Sequence, residues 1–231
     1  MHKTAYAHMQ MCIDLYMRKN RHYRVLDLGS RKSAAWHVTQ RPLLEGYDCD
    51  YVGADVAAGP NVDLVMKQPY RIPARSNSFD VVMSNQVFEH IPFPWVSFLE
   101  ACRVVKPGGL IFLVAPSRGQ RHGAVDSWRY YPDSMLALAA YARMDLVETY
   151  VDLPPSLPNG RPDYAAIGQR WWGDAVGVFR KPAKYSKLVR VVREVNIWWA
   201  DRVGGIEHIP QPKVRRRRRR IGTMQAASTP R

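Results

Sequence analysis

The sequence predicts an α/β fold: a doubly wound, mostly parallel sheet of seven strands with flanking helices. Three observations carry this. Seven short apolar runs are rich in β-branched residues and several stop abruptly in polar residues or glycine, as strands buried on both faces do. Segments with apolar residues three and four apart stand between several of them, the spacing of helices that return the chain across a sheet. Acids fall at the ends of the first two runs, where such a fold opens its ligand crevice.

Tyr6, Met9, Ile13 and Tyr16 repeat at helical spacing and predict an amphipathic helix within residues 1–20, ahead of the main domain. The run Tyr23–Leu28 (YRVLDL) meets Gly29 and reads as the first buried strand. A helix is expected next, through Ala34, Ala35 and Trp36 and ending near Pro42. Tyr51–Asp55 (YVGAD), Val62–Val65 and Phe79–Ser84 (FDVVMS) are the next three strands. Trp95, Phe98, Leu99 and Cys102 mark a helix that Lys106-Pro107-Gly108-Gly109 must end. Leu110–Val114 (LIFLV) is the fifth strand. A polar loop, 116–128, and a helix from about Pro132 to Arg143 follow, and Leu146–Val151 and Ala175–Phe179 close the sheet. The proline-rich LPPSLPNGRP between those two is expected to be an ordered excursion or lid.

The main domain is thus read as residues 21–182. In 183–209 an appended amphipathic helix is expected, with Leu188, Val191, Val192, Val195, Trp198 and Trp199 on one face and Lys187, Arg190, Arg193 and Glu194 on the other. Residues 210–231 carry the run Arg215–Arg220 and read as a tail that orders only against something anionic.

The chain has 231 residues, 46% hydrophobic and 23% charged, which suffices for a sizeable core and argues against wholesale disorder. Its formal charge is +14, but eight basic residues and no acid lie beyond Pro210, so the body carries only +6. Cys12, Cys49 and Cys102 are an odd, scattered set without a CxxC pair. That excludes a disulfide framework and fits a reducing cytoplasm. No stretch approaches the roughly 18 apolar residues of a membrane span, so a cytoplasmic protein, peripheral to the inner membrane surface, is expected.

The chemistry collects at the strand ends. Asp27-Leu28-Gly29-Ser30 offers a carboxylate, a residue that admits close backbone approach, and free amides. Asp55, ending the second strand, can accept hydrogen bonds from a ribose. Either acid alone could equally be a cap or turn residue. A dinucleotide fold fits poorly: its fingerprint needs several glycines to admit a pyrophosphate, and GSRKSA supplies one.

The segments VLDLGS, YVGAD, NSFDVVMSNQVFEHI and RVVKPGGLIFLVAPS, in this order, resemble the type 11 group of class I methyltransferases that use S-adenosylmethionine. The resemblance covers about Tyr23 to Lys181 and implies the Rossmann-like class I methyltransferase fold with that cofactor. It implies that Asp27, Gly29 and Ser30 flank the methionine portion, Asp55 holds the ribose and Val56 packs on adenine. Asn85 and Gln86 would line the cofactor and acceptor side. The later glycines of the usual first motif are replaced within Ser30–Ser33. Val65-Met66-Lys67 stands where relatives place an acid for the adenine amine, so backbone or apolar contacts from Met66 are expected. FEHIPFPW, RHGAVDSWRYYPDSMLALAAYA and WGDAVGVFRK resemble a bacterial subgroup associated with surface polysaccharide and glycolipid modification. That implies methylation of a sugar hydroxyl or of another small hydroxylated acceptor.

Methylating an alcohol requires removing its proton, so a His or carboxylate should lie near the reacting centre. His122 is favoured as the base, with Asp126 as its orienting partner or a hydroxyl acceptor; His90 is the third candidate. The competing readings make His122 a solvated loop residue, Asp126 a turn cap and His90 a structural histidine, with Glu89 complementing a helix dipole. Trp128, Arg129 and Tyr131 could form a sugar-stacking wall, or be core and rim of the next helix. No metal site is read: His122 and Asp126 would make half of one only on a helix, and no third ligand is evident. For the C-terminal helix and tail, an anionic membrane surface is expected, with nucleic acid ranked behind it. The competing reading has the helix pack on the domain or pair with a second copy in a homodimer. Two other functional readings stand beside the leading one: a methyltransferase for RNA or another anionic acceptor, and a cofactor-binding protein without turnover.

Overall fold

A computed structural model describes residues 3–34, 37–152, 158–159 and 172–203. Seven strands form one sheet: β1 Tyr23–Leu28, β2 Cys49–Asp55, β3 Leu64–Val65, β4 Phe79–Asn85, β5 Val105–Arg118, β6 Asp145–Val151 and β7 Gly173–Arg180. Their order is β3-β2-β1-β4-β5-β7-β6, with β7 antiparallel to both neighbours and every other pairing parallel. The order reverses between β1 and β4, where Leu28 stands beside Ser84. Such a reversal leaves a crevice at the carboxyl ends of the strands.

The central strands are apolar on both faces, because helices cover both. Val25, Val81, Met83, Phe112, Val114, Val176 and Val178 face one side. There they meet α1 (Lys3–Tyr16) through Ala5, Met9, Cys12 and Ile13. Leu26, Leu28, Val82, Ile111, Leu113 and Phe179 face the other side. Against them pack α2 (Pro94–Val104), α3 (Pro132–Ala142) and α4 (Lys187–Val203). Phe98 of α2 meets Phe179 edge to face, with ring centroids 4.8 Å apart.

Most elements lie within a few residues of the expected ones, and three expectations change. The helix expected from Ala34 towards Pro42 is not formed by the described residues there; Ala35 and Trp36 lie outside them. The backbone amides explain this: Ser30 N donates to Ala54 O, Arg31 N to Asp55 Oδ2 and Lys32 N to Pro60 O, sideways rather than along a helix axis. A 3₁₀ turn, Arg41–Leu44, instead supplies Leu43 and Leu44 to the core. The third strand begins at Leu64 rather than Val62 and is only two residues long.

The third change concerns α4. Its buried residues are Val189, Arg193, Ile197 and Ala200, while Leu188, Val191, Val195, Trp198 and Trp199 face solvent. The docked face carries a buried charge: the Arg193 guanidinium lies 3.4 Å from Glu100, which is 1% exposed and also accepts from Arg103 and the Ile72 amide. Arg103 already compensates Glu100, and docking with Arg193 inward brings a second cation beside it while Val189, Ile197 and Ala200 join the core. No helix among the described residues is long and apolar enough to cross a membrane. The proline-rich excursion, except residues 158–159, and the arginine run lie outside the described residues.

Candidate active site

A cleft of about 1290 Å³ opens over the carboxyl ends of β1, β2 and β4. One side is built on the sheet. Gly29 has φ +79°, and a Cβ there would stand 2.2 Å from a Val87 methyl, so only glycine fits. Its amide and that of Ser30 both bond Ala54 O, tying the turn to β2. Ser30 Oγ donates to Asn61 O.

Asp27 is fully buried beneath this turn. It accepts from Gln40 Nε2 and from the Tyr51 hydroxyl, each at 2.6 Å. Burial pushes its carboxyl up to about 7, against these two hydrogen bonds. At the end of β2, Asp55 accepts from Arg31 N at 3.2 Å and Ala57 N at 3.0 Å, which orients the carboxylate at the rim. Val56, 52% exposed, and buried Met66 also line this side.

Beyond β4, Asn85 Nδ2 donates to Ala5 O of α1, and Gln86, at φ +58°, donates to Asp174 of β7. Gln40 Oε1 and Asn85 Oδ1 are buried acceptors with no hydrogen-bond partner. With Asp27 they give this side an acceptor-rich lining, which suits a ligand that carries an ammonium group. The residues present therefore fit an amino-acid nucleoside cofactor: acceptors for its amine, a rim carboxylate for its ribose, and Val56 and Met66 for its base.

The opposite side is assembled from the 3₁₀ turn Phe88–His90 and the loop 119–131. Four hydrogen bonds join them: Ser127 N to Glu89 O, His90 Nδ1 to Val125 O, Trp128 Nε1 to Ile91 O, and Tyr130 Oη to Phe88 O. His90 and His122 both line the cleft, with their rings edge to face 4.8 Å apart, and Trp172 packs against His122 at 5.1 Å. His122 Nδ1 lies 3.2 Å from Asp126 Oδ2. Burial lowers the imidazole's pKa, while Asp126 pulls the other way.

Asp126 itself is inaccessible. Both its oxygens bond Arg129, at 2.5 and 2.8 Å, and Oδ2 also takes the His122 amide. The guanidinium and these hydrogen bonds hold its carboxyl far below the usual range. Asp126 therefore orients His122 rather than meeting a ligand. Glu89, behind His90, is fully buried, and burial pushes its carboxyl up to about 8.

The expected stacking wall differs. Trp128, Arg129 and Tyr131 do not line the cleft. Trp128 is fixed to the Ile91 carbonyl and to the Trp95 ring, Arg129 is spent on Asp126, and Tyr131, 55% exposed, precedes α3. Trp128 ties the loop to the residues after the 3₁₀ turn, Arg129 braces the loop internally, and Tyr131 caps α3. Sequence reasoning missed Gln40 and Tyr51 as parts of this site, whereas Trp172, which the sequence offered either as a stacking surface or as packing, lines it. That reasoning also read Glu89 only as a dipole partner, although an acid within an apolar FEHI run was the available signal.

Residues 26–113 match the family model described as a methyltransferase domain. A protein of Mycobacterium sp. (strain KMS) called an uncharacterized methyltransferase is 27% identical over 164 residues, covering 57% of this chain and 63% of its own. Another so called, from Mycobacterium avium (strain 104), is 34% identical over 97 residues, covering 38% and 37%. The chain thus spans less than two thirds of the length of these curated relatives.

Among solved structures, the complex of the Haloferax volcanii Trm112 methyltransferase activator with a methyltransferase matches with a TM-score of 0.57. That match has 17% identity and covers 79% of this chain and 92% of that one. The Burkholderia thailandensis 1,6-didemethyltoxoflavin-N1-methyltransferase, solved with S-adenosylhomocysteine, matches at 0.53 with 14% identity over 78% and 77%. These likenesses concern the fold. Residues 26–113 thus match a methyltransferase domain model, and the seven-stranded sheet has the Rossmann-like class I fold of these solved methyltransferases.

Proposed function

We propose that the protein is an S-adenosylmethionine-dependent methyltransferase acting on a hydroxyl of a sugar, glycolipid or other small hydroxylated acceptor. One observation carries the reading: a single cleft has an acceptor-rich side built on β1 and β2 and, facing it, an imidazole pair backed by buried carboxylates. Bound S-adenosylmethionine supplies an activated methyl group, so the protein's main task is alignment, which is worth up to about 7–11 kcal/mol. Asp55 orients the ribose and Gly29 lets the backbone approach; Asp27, Gln40 and Asn85 receive the amine.

The acceptor's proton goes to the His90–His122 side. His122, held by Asp126, is the leading base, because an alcohol must lose its proton during transfer. Arg129 keeps Asp126 ionised and in place. The solvent-facing stripe of α4, with Trp198 and Trp199, supplies an apolar face, and Lys187, Arg190 and the downstream arginine run supply positive charge. An anionic bilayer takes both, which supports a membrane-peripheral enzyme that would meet a glycolipid acceptor there. Equal sedimentation with anionic liposomes of the full chain and a chain ending at Pro210 would remove the tail's part in this.

Transfer of labelled methyl from S-adenosylmethionine to a panel of sugars and glycolipids tests the central proposal. Product on a hydroxyl is the expected result. Tight cofactor binding without transfer to any hydroxylated acceptor would leave a binding protein without turnover.

A further inference from the structure

Three side chains from two distant segments meet where the loop 119–131 folds over the 3₁₀ turn. Glu89, His90 and His122 each offer a donor atom, and these atoms all lie within 4.8 Å of one another. Glu89 Oε1 is 3.5 Å from His90 Nε2. Two ligands of a tetrahedral zinc, each about 2.0–2.2 Å from the ion, stand about 3.4 Å apart. This pair is already at ligand spacing, and a ring nitrogen of His122, on the loop, lies within 4.8 Å of both.

Two independent features make this more than proximity. First, Glu89 is 0% exposed and both of its carboxylate oxygens lack a hydrogen-bond partner. A buried carboxylate in that state is costly unless a cation or a proton meets it. Second, His90 is oriented through Nδ1, leaving Nε2 as the donor, while His122 Nδ1 stands beside Asp126 in ion-pair range without a hydrogen bond. His90 Nδ1 is 2.5 Å from Val125 O, and His122 Nδ1 is 3.2 Å from Asp126 Oδ2, itself held by Arg129. Carbonyl–imidazole and carboxylate–imidazole pairs are the usual outer support of metal-binding histidines.

We infer that Glu89, His90 and His122 bind a divalent cation of the zinc class at the wall of the cleft. Two imidazoles and one carboxylate suit zinc and its neighbours in the transition series, and not magnesium or calcium, which prefer oxygen cages. Three protein ligands leave a coordination position open, and His90 and His122 line the cleft, so that position serves the acceptor. This rests on reading the cleft as a methyl-transfer site with the acceptor hydroxyl on this side. The cation would stabilise the hydroxyl oxygen as its proton leaves to solvent, in place of His122 as base, whose remaining lone pair would be bound to the ion.

The test uses untagged full-length protein, stripped with a chelator and titrated with Zn²⁺, with Co²⁺ absorption reporting the ligand set. The same samples are titrated with S-adenosylhomocysteine. One equivalent of Zn²⁺ is expected, lost or weakened at least 10-fold in His122→Ala and Glu89→Gln and weakened about 10- to 100-fold in Asp126→Asn. S-adenosylhomocysteine binding should persist in all of them, and it also shows that each variant is folded. If Glu89→Gln does not fold, His122→Ala, on the loop, decides the matter. Wild-type protein that binds S-adenosylhomocysteine but takes up no stoichiometric Zn²⁺ would overturn the inference, as would uptake unaltered in His122→Ala. Zn²⁺ uptake through these residues without S-adenosylhomocysteine binding would instead sustain the metal site and remove the methyl-transfer reading.

Discussion

The two sides of the cleft are built in opposite ways. On the β1–β2 side the functional groups sit at strand ends, and the sheet fixes them. Asp27 and Asp55 pair with Gly53 and Val65 in the parallel ladder, and their carboxylates are held by neighbours within the same crevice. On the other side no regular element carries His122; the loop is held by four hydrogen bonds to residues 88–91. The comparison teaches that the side proposed to hold the cofactor is inherited from the topology, whereas the side proposed to face the acceptor is an assembly whose parts depend on one another.

The largest expected effect tests that division. His122→Ala should lower turnover by about 10²-fold while cofactor affinity is unchanged, measured by single-turnover kinetics and calorimetry. If affinity falls as well, the two sides are not separable. The mirror experiment, Asp55→Ala, removes a rim acceptor of charge-assisted hydrogen bonds. It should weaken S-adenosylhomocysteine binding by about 10- to 100-fold. Unaltered affinity would place the ribose elsewhere.

Gly29→Ala forces a methyl against Val87 at positive φ. A loss of about 1–3 kcal/mol in denaturant unfolding is expected, together with poorer cofactor binding. Trp128→Phe removes only the indole donor to the Ile91 and Pro92 carbonyls. It should cost about 0.5–1.5 kcal/mol and reduce turnover without affecting cofactor affinity.

A pH experiment sharpens the comparison from the rigid side. Asp27 has its carboxyl raised to about 7 by burial, with Gln40, the Tyr51 hydroxyl and the nearby Asp55 as the facing groups. The folded state therefore holds a proton that the unfolded chain releases near the ordinary carboxylate value. This contribution to stability is complete below about pH 4 and is lost as the pH rises through about 7. Ligand-free Asp27→Asn should lose this part of the pH dependence in chemical denaturation. An unaltered profile would mean that Asp27 is ionised in the cleft throughout.

How much of this could be read in the sequence follows the same division. The sheet was legible because strands buried on both faces are continuous apolar runs, and Asp27, Gly29 and Asp55 stood at their ends. The helix expected near Ala34 is not formed by the described residues there, and the amides just before it, of residues 30–32, bond Ala54, Asp55 and Pro60, partners that only the folded sheet brings near. On α4 the apolar count favoured the stripe through Leu188 and Trp199, whereas the helix docks through Val189, Ile197 and Ala200 with Arg193 beside the Glu100–Arg103 pair, neighbours that only the fold brings near. Trp128, Arg129 and Tyr131 were legible as a cluster, but Trp128 was not legible as a loop fastener, since its carbonyl partners lie 36 and 37 residues away. Glu89 was hidden for the same reason: its isolation is a property of what fails to reach it.

The central claim is that one cleft over β1 and β4 binds S-adenosylmethionine through its strand-end groups. Isothermal titration of the full chain and of Asp55→Ala with S-adenosylhomocysteine tests it most directly. One-to-one binding to the native chain, weakened at least 10-fold in the variant, is the predicted result. No heat with either chain, or equal affinity in both, would contradict it.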